Sequence, residues 1–468
     1  MPGRDMQKRM WLGGIKWSAR QLELHYGIDD LAFTTTYWYG PEVDFYRLRE
    51  SYGADYLDWL QFHILAFEAN KVLSLGPETL DPGPQARWIT PRFIELWQTI
   101  GHKVWAQWRY QHDRPDYPGP RIEAAGSGGK AVALEQGPVD ILAFCGGGKD
   151  SLVALKLLER AGIPYASLAY AHSIYGLVAP QHALIDGLLD HCAPVQRHRQ
   201  WVSDTFLDAP VTDLYPEYEV AHLLAAETPS SIFGVLPIVL SQGYKHIALA
   251  HERSADTGNL IWEATGEDVN HQWGKSLAAE ELINGYIQQE LISGFTYFSL
   301  LKPLYDVVIF SLLQQDLDAV PATHSCNLAK PWCRRCPKCA YVWLNYMAYL
   351  PTGLIDGIFA ENLLDLEENQ LAYRQMIGLE AHTPFECIGQ IPEARLAFEL
   401  ARRKGLDGRA MAAWRELPPQ NWDAVLAHYC RVVAEDAPMP AAVAERVLPL
   451  MERAAAAARD RLKAQLAD

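Results

Sequence analysis

Val139-Asp140-Ile141-Leu142-Ala143-Phe144-Cys145-Gly146-Gly147-Gly148-Lys149-Asp150-Ser151 is the stretch whose reading decides the fold. Its first six residues are short, apolar and β-rich, the composition of a strand buried on both faces of a parallel sheet. Beyond Ser151, Leu152, Val153, Leu155, Leu157, Leu158 and Ala161 recur at helical spacing up to Gly162, a residue suited to ending a helix. Strand, glycine loop and helix together present successive backbone N–H groups and a helix N-terminus to an anion. Gly146, Gly147 and Gly148 let a phosphate approach the main chain, and Lys149 adds a positive charge. Asp150 and Ser151 can serve a metal ion or cap the helix. Three glycines alone also fit a tight turn into a capped helix; the attached Lys-Asp-Ser favours the phosphate cradle.

Working outward, residues 165–170 read as a second strand, 183–189 and 232–240 as helices, and 246–250 as a further strand. That last strand runs into the polar loop His251-Glu252-Arg253-Ser254-Ala255-Asp256-Thr257-Gly258-Asn259. Strands alternating with helices predict an α/β fold with a doubly wound parallel sheet. Ligands on such sheets sit beyond the carboxyl ends of the strands, where both loops emerge. Upstream, residues 22–26 alternate as a strand and 60–71 read as a helix packed behind the site. Three regions are expected. Residues 1–135 form an α+β region that reads substrate, 136–350 a nucleotide-binding domain with a cysteine segment, and 351–468 a helical region. The alanine-rich C-terminal helices are read as packing or as a homodimer surface.

A chain of 468 residues can bury a large core. Its net charge of −16 argues against a nucleic-acid partner. No run of about 18 uncharged apolar residues is present, so no membrane span is expected. The start, Met1-Pro2-Gly3-Arg4-Asp5, has no apolar segment of a secretion signal, and a cytoplasmic location is expected. Many of the 15 tryptophans lie in the first 110 residues and are read as packing. Of the eight cysteines, Cys326, Cys333, Cys336 and Cys339 cluster as Cys-x6-Cys-x2-Cys-x2-Cys. Such spacing turns four thiolates toward one centre and suits a tetrahedral Zn2+. An iron–sulfur cluster takes the same four ligands, whereas disulfides fit poorly without secretion. Four protein ligands leave no open position, so the zinc is expected to be structural.

The glycine loop lacks the spacing of a Walker A motif and of the dinucleotide fingerprint. It resembles the PP-loop, Ser-Gly-Gly-x-Asp-Ser, of the ATP pyrophosphatases, with Gly146 in place of the usual serine. Further segments are Glu252-Arg253-Ser254-Ala255-x-x-Gly258-Asn259 and Val269-Asn270-His271-Gln272-x-x-Lys275-Ser276, then Ser325-Cys326-Asn327. Cys336-Pro337-Lys338-Cys339 and Pro384-Phe385-Glu386-Cys387-Ile388-Gly389 complete the set. Together, over about residues 141–390, they resemble the ATP-dependent UDP-N-acetylmuramoyl-L-alanyl-L-glutamate epimerases. The chain departs from that pattern at His251, where Asn is expected. Ile100-Gly101-His102-Lys103 likewise replaces a Gly-Leu-Gly-Glu-like segment, and both places are ones where substrate is read.

The resemblance implies a PP-loop fold, ATP cut to AMP and pyrophosphate with Mg2+, and a UDP-linked muramoyl dipeptide as small-molecule substrate in peptidoglycan precursor synthesis. Adenylation of the terminal glutamate would remove its negative charge and make the α proton removable by an ordinary side-chain base. An electron-sink cofactor would then be superfluous. On this reading residues 146–151 hold the phosphates, with Glu252, Ser254 and Asn259 beside them. Lys149, Asp150, Arg253, Lys275 and Lys302 meet developing charge, and His271, then Cys387 or His251, moves the proton. The bland readings are a hydrogen-bonded core histidine for His271 and a buried apolar thiol for Cys387. Two other functions stay open: an adenylate-forming relative of the 7-cyano-7-deazaguanine synthases, and a silent nucleotide-binding module.

Overall fold

The computed structural model describes residues 8–123, 126–215, 226–435 and 439–467. Nine strands make one sheet. The amino-terminal four are β1 (Arg9–Trp17), β2 (Gln21–Ile28), β3 (Leu31–Tyr39) and β4 (Thr79–Asp81). A two-residue strand β5 (Val132–Ala133) precedes β6 (Ile141–Cys145), β7 (Tyr165–His172), β8 (Gln196–Asp204) and β9 (His246–Leu249). The hairpin strands β10 (Leu260–Trp262) and β11 (Glu267–Val269) follow, then β12 (Ile292–Ser293), paired with β5, and finally β13 (Thr296–Ser299). The large sheet has the order β13-β9-β6-β7-β8-β3-β2-β1-β4.

The first five of these are all parallel, with β6 in the middle. β6 is fully buried at four of its five positions, as the continuous apolar run predicts. Successive side chains serve opposite faces. Ile141, Ala143 and Cys145 enter one core and Leu142 the other, and Phe298 and Tyr297 divide likewise. The first core is built with the helices Lys149–Arg160, Asp306–Leu312, Pro337–Tyr349, Ile391–Arg403 and Ala441–Ala467. The second is built with the helices Ala54–Glu68, Pro91–Val104, Glu227–Gln242 and Leu277–Glu290. The sheet is thus covered on both faces.

β3 joins β8 antiparallel, from Thr35 opposite Asp204 to Tyr39 opposite Gln200. The amino-terminal meander therefore extends the parallel sheet, and the boundary expected near residue 135 divides stretches of chain within one continuous sheet. The helix Ala54–Glu68 carries this joint. Glu68 accepts from Tyr37 Oη at 2.7 Å and Ser230 Oγ at 2.5 Å, and it pairs with Lys71. Lys71 Nζ reaches Asp204 at 2.9 Å. These carboxylates outweigh burial and hold the lysine well above its usual range. The long helix Ala441–Ala467 buries Val443, Val447, Met451, Ala455, Ala458 and Leu462, a 3–4-residue repeat, against its own chain.

The chain leaves β6 for β7 on one side and later returns through the helix Glu227–Gln242 to β9 on the other. Adjacent strands whose connections depart in opposite directions open a crevice at their carboxyl ends.

Candidate functional site

A cavity of about 270 Å3 lies at that switch point, lined by residues of the glycine loop, the loops after β7 and β9, and the cysteine segment. The glycine loop has two glycines of different necessity. Gly147 has φ +84°, and a Cβ there would lie 1.9 Å from His324 Cε1. His324 N–H also donates to the Gly147 carbonyl at 2.8 Å, so the segment leading into the cysteines packs against the loop. A Cβ on Gly146 would meet nothing within 4 Å. Its N–H donates to Ser151 Oγ at 3.2 Å, which ties the loop to the first turn of the helix it precedes.

Lys149 departs from the expectation of a charge offered to phosphate. Its side chain is buried and is not among those lining the cavity, with Nζ bonded to Asp150 and, at 2.7 Å, to Asp306 Oδ1. The same ammonium stands 4.5 Å from the centre of the Phe310 ring. Burial would depress this lysine, but Asp150 and Asp306 raise it well above the usual range. Asp150 itself lines the cavity, and burial pushes its carboxyl up against the pull of Lys149. Glu252 faces the same space. Burial opposes its ionisation, yet Lys275, Lys149 and Lys338 bring it down to about 2.

Ser254, Asn259, Arg253 and Lys302 are placed beside the cavity rather than in its wall. Ser254 Oγ donates to Glu393 Oε2 at 2.7 Å. Asn259 Nδ2 donates to Thr383 Oγ1 and the Pro384 carbonyl, while its Oδ1 accepts from His271 N–H at 2.9 Å. Arg253 begins a short helical turn, and its backbone N–H donates to the Leu304 carbonyl at 2.9 Å. Lys302 is fully buried and donates to the Glu252 and Lys275 carbonyls at 3.1 and 2.9 Å and to Asp256 at 3.0 Å. These four polar residues fold the loops that carry Glu252, His271 and Lys275. His102 is remote from the cavity, at 3.1 Å from Arg109 Nη2 and beside Glu267.

Lys275 and Cys387 meet in the wall, Nζ to Sγ at 3.0 Å. Burial disfavours the ammonium, but Cys387 and Glu252 outweigh it and raise the lysine. His271, Glu386 and Cys387 lie with their polar atoms within 4.8 Å of one another. His271 Nδ1 is 2.6 Å from Gln107 Oε1, whose amide donates to Gln111 at 2.9 Å. The carbonyl can only accept, so the imidazole proton is on Nδ1 and Nε2 is left bare. Burial lowers this histidine to about 4, so it is neutral at pH 7. His251 is held neutral too, by burial and then by Lys275 and Lys302. On the β7 side, the Tyr175 hydroxyl donates to Glu227, whose carboxyl is raised by burial. Tyr175, Glu227, Lys330 and His324 escape a reading of local pattern, because each is a single polar residue whose relevance comes only from the loop that carries it.

The four clustered cysteines converge. Cys326 and Cys336 Sγ are 3.8 Å apart, as are those of Cys333 and Cys339. A tetrahedral zinc–thiolate site with bonds near 2.3 Å has edges of about 3.8 Å. Backbone N–H groups of Leu328, Ala329 and Cys333 point at Cys326 Sγ from 3.3–3.4 Å, a pattern that suits a thiolate. Donor set and geometry therefore fit a Zn2+ ion.

Two family models match. One, described as the MurL N-terminal domain, covers residues 230–300, which include His251, Glu252, His271 and Lys275. The other, described as the MurL C-terminal domain, covers 322–423, which include the cysteine cluster and Cys387. A protein of a Micromonospora species named UDP-N-acetyl-alpha-D-muramoyl-L-alanyl-L-glutamate epimerase is 30% identical over 306 residues, 63% of this chain and 62% of that protein. Proteins of the same name from Salinispora tropica and Xanthomonas oryzae pv. oryzae are each 28% identical, over 70% and 63% of the chain and 69% and 60% of theirs. The match thus spans less than two thirds of the Micromonospora and Xanthomonas proteins. No solved structure matches the chain. Both domain models occur in order along the walls of one cavity, and the named relatives align over most of the chain, so over these residues the chain is similar to the MurL family.

Proposed function

We propose that this chain is an isomerase that inverts the terminal L-glutamate of UDP-N-acetylmuramoyl-L-alanyl-L-glutamate, coupled to cleavage of ATP to AMP and pyrophosphate. The observation that carries the reading is the meeting, in one cavity, of the glycine loop with the wall of Lys275, Cys387 and His271. The names of the relatives supply the substrate.

The sheet order supports a PP-loop fold, with the glycine loop leaving the central strand at the switch point. Gly146, Gly148 and Ser151 are the residues to hold phosphates, and Asp150 with Glu252 the carboxylates to hold Mg2+. The four cysteines are assigned to a structural Zn2+. ATP, when bound, supplies the adenylyl group that neutralises the substrate carboxylate. Removal of the α proton then falls to a side chain of the opposed wall. His271 has a bare Nε2, but a basicity lowered to about 4 makes it a weak base. Cys387 is better placed, since Lys275 at 3.0 Å balances the charge of a thiolate. His271 and Glu386 complete the hydrogen-bonding frame around it.

The test is a reaction in heavy water with the UDP-linked L-alanyl-L-glutamate. The expected product is D-glutamate carrying deuterium at Cα, formed only with ATP and Mg2+ and accompanied by AMP. ADP as the nucleotide product would refute the coupling. AMP formation without Cα exchange would mean that the carboxylate is activated for transfer to another acceptor.

A further inference from the structure

We propose that the loop between the first two cysteines of the cluster is a binding element of the cavity, and that Lys330 on it receives an oxyanion of a substrate. The proposal deepens the reading above, resting on a cavity that takes anionic substrates.

Three lysines line the cavity, and two of them have partners. Lys275 meets Cys387 Sγ at 3.0 Å, and Lys338 donates to the Cys387 carbonyl. Among the described residues no hydrogen bond or ion pair holds the Lys330 ammonium; its close neighbour is the face of Tyr175, 5.0 Å from nitrogen to ring centre. The Tyr175 hydroxyl is committed to Glu227, so the ring acts as a floor for the cation and the hydroxyl does not compete for it. Burial pushes the half-buried Lys330 below the usual lysine range, whereas Lys275, half-buried in the same wall with Cys387 and Glu252 beside it, is raised. An ammonium withdrawn from water without an oxygen partner is unfavourable, and an arriving carboxylate or phosphate relieves it.

The position of Lys330 is set by the cluster. The N–H groups of Leu328, Ala329 and Cys333, on both sides of it, are turned to Cys326 Sγ. Asn327, in the same loop, donates to Glu386 at 3.0 Å. Just before Cys326, His324 and Ser325 touch the glycine loop. A metal centre with no open coordination position would in this way shape the substrate cavity through the loop between its ligands.

One chemistry, an oxyanion, has two sources here: the polyphosphate of the nucleotide, or the carboxylate and diphosphate groups of the UDP-linked peptide. Calorimetric titration of the metal-loaded wild type, Lys330→Gln and Lys330→Arg with ATP, with inorganic pyrophosphate and with the UDP-linked dipeptide separates them. The expected result is at least fivefold weaker binding of one of these to Lys330→Gln, recovered in Lys330→Arg, with metal content and Tm unchanged. Weakening with ATP or pyrophosphate identifies the nucleotide; weakening with the dipeptide alone identifies the second substrate. All three affinities within fivefold of wild type, or a loss that arginine does not recover, would overturn the proposal. If Lys330→Gln loses its metal, the isosteric Lys330→Met is read in its place. Failure of the epimerase reading is visible separately, as wild type that binds these anions but does not invert glutamate.

Discussion

Lys149 Nζ lies 2.7 Å from Asp306 Oδ1 and is bonded as well to Asp150, the carboxylate of the glycine loop that lines the cavity. The lysine of the glycine loop thus serves the loop's own carboxylate. Removing it leaves Asp150 and Asp306 facing each other in the interior without a counter-charge. Lys149→Met should therefore lower stability by about 3–5 kcal/mol, the scale for breaking a buried ion pair by deleting one partner. Chemical denaturation measures it. Loss of ATP affinity with unchanged stability would instead make the lysine a phosphate ligand.

Neighbouring glycines of the loop should respond in opposite ways. Gly147→Ala forces a side chain into a left-handed conformation and onto the His324 ring, so loop geometry and ATP binding should both fail. Gly146→Ser has open space for its side chain and should leave ATP affinity within about threefold, a difference of roughly 0.65 kcal/mol. Calorimetry on the two variants distinguishes them.

Cys326, Cys333, Cys336 and Cys339 should bind one Zn2+ per chain, with four sulfurs at about 2.3 Å by X-ray absorption. Cys339→Ser, or chelation, should lower Tm, because binding free energy of a structural ion is folding free energy. Less than half an equivalent in protein purified without a histidine tag would count against the site.

Within the proposed chemistry, Cys387→Ser should slow Cα exchange by about 10²-fold or more while AMP formation persists, if the sulfur moves the proton. His271→Asn should slow exchange less and spare ATP binding. An equal loss of AMP formation in Cys387→Ser would place the cysteine in adenylation instead.

Stability should rise with pH between about 4 and 6.5. His271 is lowered by burial to about 4 and His63, also by burial, to about 3. Below pH 6.5 the unfolded chain takes up protons that the folded chain refuses, so their contribution is complete above 6.5 and fades as pH falls toward the folded values. Each such group adds up to about 1.4 kcal/mol per pH unit in that window. Urea midpoints for wild type and His271→Asn across it should differ in slope, the variant being flatter.

Local pattern carried much of the architecture. The apolar run of β6, the glycines after it and the helical repeat to Gly162 are close in sequence, and steric and hydrophobic rules act over that range. The cysteine spacing is local in the same sense. β8 escaped because its sequence, Gln-Arg-His-Arg-Gln-Trp-Val-Ser-Asp, is polar although it lies mid-sheet. Its buried His198 lies 2.6 Å from the Tyr244 hydroxyl and 3.1 Å from Glu42, and Gln200 Nε2 donates to the Gly234 carbonyl at 2.6 Å. No window of sequence contains those partners.

What the sequence by itself determined is the parallel core, the glycine loop at a strand end, the four-cysteine centre and the segments that resemble the epimerases. The direction of the polar side chains was left to the tertiary structure. Lys149 turns inward because Asp306, 157 positions away, arrives beneath it, and Lys275 meets Cys387 across 112 positions. The amino-terminal strands join the same sheet because β3 finds the polar edge of β8. Apolar periodicity is a property of neighbours along the chain, whereas a buried polar group takes its role from whichever donor or acceptor the topology brings to it.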